Sequence, residues 1–206
     1  MRLRASRTRQ IAKGELAEYE LHLDDKDFRM ETCLMLGDEA EFWVSHGTAR
    51  YISKEEALEL LRRNRDDGLI IQSVYGKDTE VICSCHSAVC DNIALCKAFG
   101  SLEEVAQTPM YKQLSHYTLE VDFDSCIKCG TCANRCPLEA ITMDGPDGTP
   151  QVSGMCWRCG QCAYVCPQHA RALVVRPDDE ILELPQNMVD GNNMKAAFRF
   201  EHGMIA

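Results

Sequence analysis

The sequence predicts an α+β protein, and three observations carry that prediction. One cysteine run occurs twice between residues 126 and 167, at an offset of thirty. Alternating apolar residues precede it (Tyr117, Leu119, Val121, Phe123) and an apolar run follows it (Ala172–Val175), as strands flanking a repeat would. Upstream, a capped helix stands among short apolar runs, the pattern of a small mixed domain. The 206 residues leave room for the doubled segment and one further small domain. The expected division is 1–115, 116–176 and a C-terminal tail over 177–206.

The first run reads Cys126-Ile-Lys-Cys129-Gly-Thr-Cys132-Ala-Asn-Arg-Cys136-Pro137. The second reads Cys156-Trp-Arg-Cys159-Gly-Gln-Cys162-Ala-Tyr-Val-Cys166-Pro167. Residues 126–141 and 156–171 share eight identities in sixteen positions, which implies two similar halves about a pseudo-twofold axis. Three cysteines spaced by two residues can wrap a short loop around one face of a cubane iron–sulfur cluster, and a fourth thiolate must come from elsewhere. Gly130 and Gly160 would let backbone amides approach the sulfurs, and each proline turns the chain away from the site. Structural zinc favours separated C-x2-C pairs, and a disulfide framework needs a secreted context that the sequence does not suggest.

The spacing C-x2-C-x2-C-x3-C-P resembles that of the dicluster bacterial ferredoxins, and the likeness covers about residues 117–176. It implies a ferredoxin-like βαβ–βαβ module, with short helices beginning near Cys132 and Cys162. It also implies two [4Fe–4S] clusters with crossed ligands: Cys126, Cys129, Cys132 and Cys166 on one, Cys156, Cys159, Cys162 and Cys136 on the other. Ile127 and Trp157 occupy matching positions where they can shield the clusters from water. One departure is Gln168-His169-Ala170-Arg171, where the first half has Leu138-Glu139-Ala140-Ile141. His169 is expected to be a solvated surface histidine.

Formal net charge is −10, and two oxidised clusters would bring it to about −14. That sign argues against nucleic acid and favours basic docking patches on redox partners. No run of eighteen apolar residues occurs, so no membrane span is expected. Arg2, Arg4, Arg7 and Arg9 are followed by no apolar segment, which argues against a secretory signal. Thirteen cysteines in this setting read as metal sites in a cytoplasmic protein of an anaerobe or microaerophile.

Upstream, Tyr19–Leu23, Phe28–Thr32, Phe42-Trp43-Val44 and Tyr51-Ile52 read as short strands, with His46-Gly47 as a turn. Ser53-Lys-Glu-Glu56 is a capping box whose helix ends at Gly68, and Leu69–Ile71 reads as a buried strand. Ser101-Leu-Glu-Glu104 opens a second helix, stopped by Pro109. Cys33 reads as a small core residue, and His22, His46 and His116 as surface or turn histidines. Four further cysteines fall within fourteen residues, at Cys83, Cys85, Cys90 and Cys96. They admit a third iron–sulfur cluster (with Cys96 or His86 as fourth ligand), a zinc site, or plain thiols. This stretch resembles the Ile-Cys-Asn-Cys cysteine cluster found ahead of ferredoxin modules in anaerobe iron–sulfur proteins, with Ser84 and His86 departing from it.

Neither a Rossmann fingerprint nor a P-loop is present, and no nucleophile–base signature stands out. The leading expectation is therefore an electron carrier or relay subunit, not itself an enzyme, serving a partner such as a flavoprotein or reductase. The alternatives are an iron–sulfur subunit whose N-terminal domain carries a third metal site or contributes to catalysis, and a redox sensor built on Cys83, Cys85 and Cys90.

Overall fold

The computed structural model describes residues 3–7, 31–73, 76–86, 90, 93, 116–152, 156–181, 183–201 and 203. They contain both helices and strands, as an α+β chain requires. The chain folds as two units. The first comprises Met1–Asp66, Ile71–Ser84 and Glu183–Ala206; the second comprises Asp67–Ile70 and Cys85–Leu182. Of the described residues, Cys85, His86, Cys90 and Ile93 fall in the second unit, and residues 183–201 in the first.

Strands β1 (Leu3–Arg7), β2 (Glu31–Leu36), β3 (Ala49–Ile52), β4 (Ile70–Ser73) and β5 (Val81–Cys85) form a sheet in the order β3-β1-β2-β5-β4. β1 runs antiparallel to β2 and β3, and β2 antiparallel to β5. Helix α2 (Lys54–Asp66) starts where Ser53 Oγ accepts the Glu56 amide at 3.1 Å. The reciprocal half of the capping box is missing, because Glu56 turns instead to Arg50. The helix is followed by Gly68 at φ +88°, a backbone state that glycine adopts without strain. Ala57 and Leu60 pack against Leu34 and Leu36, flanked by Ile52, Leu61 and Ile82. Asn64, one turn further along this face, is fully buried. Its Nδ2 donates to Thr32 O and to Ser84 Oγ, both at 2.9 Å, so one amide ties β2 to β5.

Phe42-Trp43-Val44 lies in helix α1 (Gly37–Ser45) and not in a strand. Asp38 and Glu39 fill its first turn, where the helix dipole favours acids, and Trp43 Nε1 donates to Glu39 one turn back at 2.9 Å. These local gains outweigh the strand propensity of three bulky residues, and Phe42 stays exposed. Cys33 is buried, as expected of a small core residue. The expected elements at Tyr19–Leu23 and Ser101–Pro109 lie outside the described residues.

The extended tail expected over 177–206 is instead a 3-10 turn (Asp178–Glu180), a strap, and a helix (Met188–Glu201), called α5 below. The strap follows the 77–80 segment: Lys77 N donates to Pro185 O at 2.9 Å and Asp78 N to Gln186 O at 2.8 Å. Glu80 accepts the first helical amide, Met188 N, at 3.0 Å, and Asn187 accepts Asp190 N at 2.9 Å. These acceptors satisfy donors that a helix N-terminus leaves orphaned.

In the second unit, β6 (Tyr117–Val121) pairs antiparallel with β9 (Arg171–Val175). Between them come helix α3 (Thr131–Arg135), strands β7 (Ile141–Thr142) and β8 (Gln151–Val152), and helix α4 (Gln161–Tyr164). β7 and β8 form a second antiparallel pair. The turn between them closes through Gly145 N to Thr149 O and Gly148 N to Gly145 O, both at 3.0 Å. A methyl at Gly145 would meet Thr149 O at 2.5 Å and Gln151 Nε2 at 2.6 Å. Gly145→Ala should therefore open this turn and cost about 2 kcal/mol, read as a lower urea midpoint at unchanged slope. An unshifted midpoint would show that the turn gives way freely.

Candidate iron–sulfur site

The two cysteine loops have the same backbone. Lys128 and Arg158 have φ of +56° and +52°, Gly130 and Gly160 +76° and +78°, Glu139 and His169 +53° and +50°. Left-handed conformations cost a non-glycine residue roughly 1–2 kcal/mol. Strain repeated at offset thirty marks backbone held in place for a purpose. Left-handed residues alternating with ordinary ones turn successive amide N–H groups toward one side, making a concavity suited to an anion. After the proline of each run the pattern recurs: Ala140 N donates to Cys136 Sγ and Ala170 N to Cys166 Sγ, both at 3.3 Å.

The first loop is entered through a turn in which Asp122 accepts the Asp124 and Ser125 amides and the Ser125 hydroxyl. The Ser125 hydroxyl, then the backbone amides, hold this carboxylate below its usual range. Asp122 N also donates to Ala170 O at 2.9 Å, tying the start of one half to the end of the other. α3 and α4 are joined by Arg135 Nε donating to Gln161 Oε1 at 3.0 Å, while Gln161 Nε2 donates to Leu69 O at 2.8 Å. Both loops are thus fixed against one frame.

That frame brings the remote cysteines across. Cys126, Cys129, Cys132 and Cys166 line one recess of about 350 Å³, counted to its open mouth. On the other side, Cys136 and Cys159 pack against one apolar cluster, and Cys136 also packs against the cluster that contains Cys162. Residues 125–170 match the family model of the 4Fe–4S dicluster domain. The match supports an iron–sulfur protein with an electron-transfer role. No curated protein matches the chain.

The residues of the dicluster domain fit that kind of group. Eight thiols, amide concavities and N–H donors to sulfur are what a polyanionic cluster requires. Among the described residues, no three Cys, His, Asp or Glu side chains close on the position of a single ion. A cubane does not ask for that, because each of its thiolates binds a different iron.

The two sets differ in surroundings. Cys129 is exposed, and the Thr131 hydroxyl at 3.2 Å holds its thiol below the ordinary value. Ile127, expected to shield this side, is 60% exposed. Trp157, its counterpart, packs with Ile70, Ile93, Leu138 and Ala140, together with Cys136 and Cys159. Burial pushes the Cys156 and Cys159 thiols up, and Cys162 up to about 11. Ligation must release those protons, so iron uptake by metal-free protein should rise between about pH 7 and about pH 9. Iron retained after gel filtration measures this; uptake that falls over the same interval would contradict it.

Cys83 and Cys85 stand two apart on β5, facing one side of the strand. Cys85 and Cys90 pack in the same apolar group as Trp157, Cys136 and Cys159, and Cys90 N donates to His86 O at 3.0 Å. Cys96 lies outside the described residues. His169 is exposed as expected. Arg171, two residues on, escaped the sequence reading although its partner in the aligned repeat is apolar Ile141. It is 5% exposed and lines the recess of Cys126, Cys129, Cys132 and Cys166.

Proposed function

We propose that this chain relays single electrons through two [4Fe–4S] clusters to or from a partner redox protein. Cys126, Cys129, Cys132 and Cys166 hold one cluster; Cys156, Cys159, Cys162 and Cys136 hold the other. The observation that carries this reading is Cys166 lining the same recess as the three cysteines of the opposite run. When bound, the clusters accept and release electrons without bonds to substrate.

The chain's residues do the rest. The amides of Ala140 and Ala170 donate to the remote sulfurs and favour the more negative, reduced state. Trp157, Ile70 and Leu138 exclude water from the second set, while the exposed edge at Ile127 and Cys129 leaves the first open to a partner. The acidic charge of the chain suits a basic docking patch on that partner. No helix among the described residues is long and apolar enough to cross a membrane.

Anaerobic titration with dithionite, followed by electron paramagnetic resonance, tests the relay. Uptake of about two electrons per chain, reversed by a mild oxidant, is expected. Absence of a reversible signal would overturn it.

One observation favours the alternative, an iron–sulfur subunit of an oxidoreductase complex. α5 leaves Val189, Met194 and Phe200 more than half exposed, a surface that an assembled subunit would cover. Anaerobic purification of the tagged chain from its own cells separates the two: a stoichiometric redox enzyme on the column supports the subunit, and a lone chain supports the free carrier.

A further inference from the structure

Gln161 opens helix α4 between Cys159 and Cys162, and its polar side chain is only 3% exposed. A buried amide is stable when its polar atoms are bonded, and this one is bonded at both ends. Its Oε1 accepts from Arg135 Nε at 3.0 Å, and its Nε2 donates to Leu69 O at 2.8 Å. Arg135 closes helix α3 immediately before Cys136, and Gln161 stands immediately before Cys162. The bond therefore joins the neighbour of the remote cysteine to the neighbour of a local one. Cys136 itself packs against the apolar group that contains Cys162. Gly68 backs the guanidinium closely: a methyl there would meet Arg135 Cζ at 3.4 Å and Nε at 3.6 Å. The equivalent positions at an offset of thirty are Val165 and Thr131. A valine side chain makes no hydrogen bond, and Thr131 Oγ1 lies 3.2 Å from Cys129 Sγ instead. The bridge has no counterpart across the repeat.

We infer that Arg135 and Gln161 are positioning residues for one cluster: their bond holds Cys136 in register with Cys159 and Cys162, so that the cluster on Cys156, Cys159, Cys162 and Cys136 is retained when the one on Cys126, Cys129, Cys132 and Cys166 is lost. This rests on the two-cluster reading with crossed ligands. The remote cysteine is the weak point of such a site, because no short loop keeps it beside the other three. Loss begins when one iron–thiolate bond breaks, the electron pair staying on sulfur and water taking the vacant place on iron. A sulfur held in position rebinds before a competing ligand removes the iron. Leu69 fixes the far end of the Gln161 amide, so the side chain cannot swing aside with Arg135. The other set has no such clamp and lies open at Cys129 and Ile127, where water and chelators reach it. One chain thus pairs a durable cluster with an exchangeable one.

Anaerobic treatment of the iron-loaded chain with excess EDTA, followed through the loss of cluster absorbance, tests this in wild type, Gln161→Leu and Arg135→Met. Wild type should lose its clusters in two phases of about four irons each. Cys166→Ser should keep the slow phase alone, which assigns that phase to the clamped set. Gln161→Leu and Arg135→Met should each speed the slow phase about tenfold and leave the fast phase within about twofold. The paramagnetic resonance spectrum of the reduced slow-phase cluster should change in Gln161→Leu, while that of the fast-phase cluster stays as in wild type. A single phase in wild type, a fast phase surviving in Cys166→Ser, or an unmoved slow phase in loaded Gln161→Leu would overturn the inference. So would equal acceleration of both phases or an unaltered slow-phase spectrum. If Gln161→Leu does not fold, Arg135→Met, at a half-buried helix end, decides by the same criteria. Fewer than about eight irons in wild type before EDTA is added would mark failure of the two-cluster reading and not of the clamp.

Discussion

Replacing Cys166 with serine should cost the cluster built on Cys126, Cys129 and Cys132, in the upstream run, and spare the one built on its own run. Cys166 follows Cys162 closely in sequence, so a simple reading of spacing would assign it to the same cluster. The structure instead places it on the recess of the first run, with its sulfur held by the Ala170 amide. Cys136→Ser should do the reverse, since Cys136 packs against the apolar clusters of Cys159 and Cys162. Each variant should lose about four of about eight irons, or convert one cubane to a three-iron form that loses about one. Mössbauer or paramagnetic resonance spectra should show the surviving cluster unchanged. The two survivors should also differ: protected by Trp157 in Cys166→Ser, solvent-facing in Cys136→Ser. Two variants with the same surviving spectrum would contradict crossed ligation.

Asn64→Ala should be the most damaging substitution in the first unit. Asn64 is wholly buried, and its amide is the hydrogen-bond donor to Thr32 O on β2 and to Ser84 Oγ on β5. Alanine would remove both bonds and leave a small buried cavity. Together these losses come to about 3 kcal/mol. With a urea slope of about 1–3 kcal/mol/M, the midpoint should fall by about 1–3 M. Iron content should stay at the wild-type level, because no cysteine of the doubled run touches this amide. A midpoint within experimental scatter of wild type would show that the Asn64 bridge contributes nothing net.

The doubled run was legible because ligand spacing is a local property of the chain. β6, β9, α3 and α4 followed from alternation and from the cysteine loops, within a residue or two. The helix at α2 was legible from Ser53 and Gly68, which act within one turn. What escaped depends on long-range partners or on competition between local effects. Phe42-Trp43-Val44 has strand-like composition, but the acids ahead of it and the Glu39–Trp43 bond place it in a helix. The C-terminal helix was hidden because its N-terminal acceptors include Glu80, over a hundred residues away. Arg171 was passed over for its neighbour His169, since sequence shows charge but not burial. The signal was present all the same, in the mismatch of Ile141 with Arg171 across the aligned repeat. Within Cys83 to Cys96, the packing of Cys85 and Cys90 against Trp157 is a tertiary fact that no local spacing encodes.

The most direct test is the count of iron and acid-labile sulfide on anaerobically purified protein, with zinc measured alongside. About eight of each per chain, with little zinc, is the result expected for two cubanes. About twelve would add a third cluster through Cys83, Cys85, Cys90 and Cys96. About four or fewer would contradict the paired-cluster account.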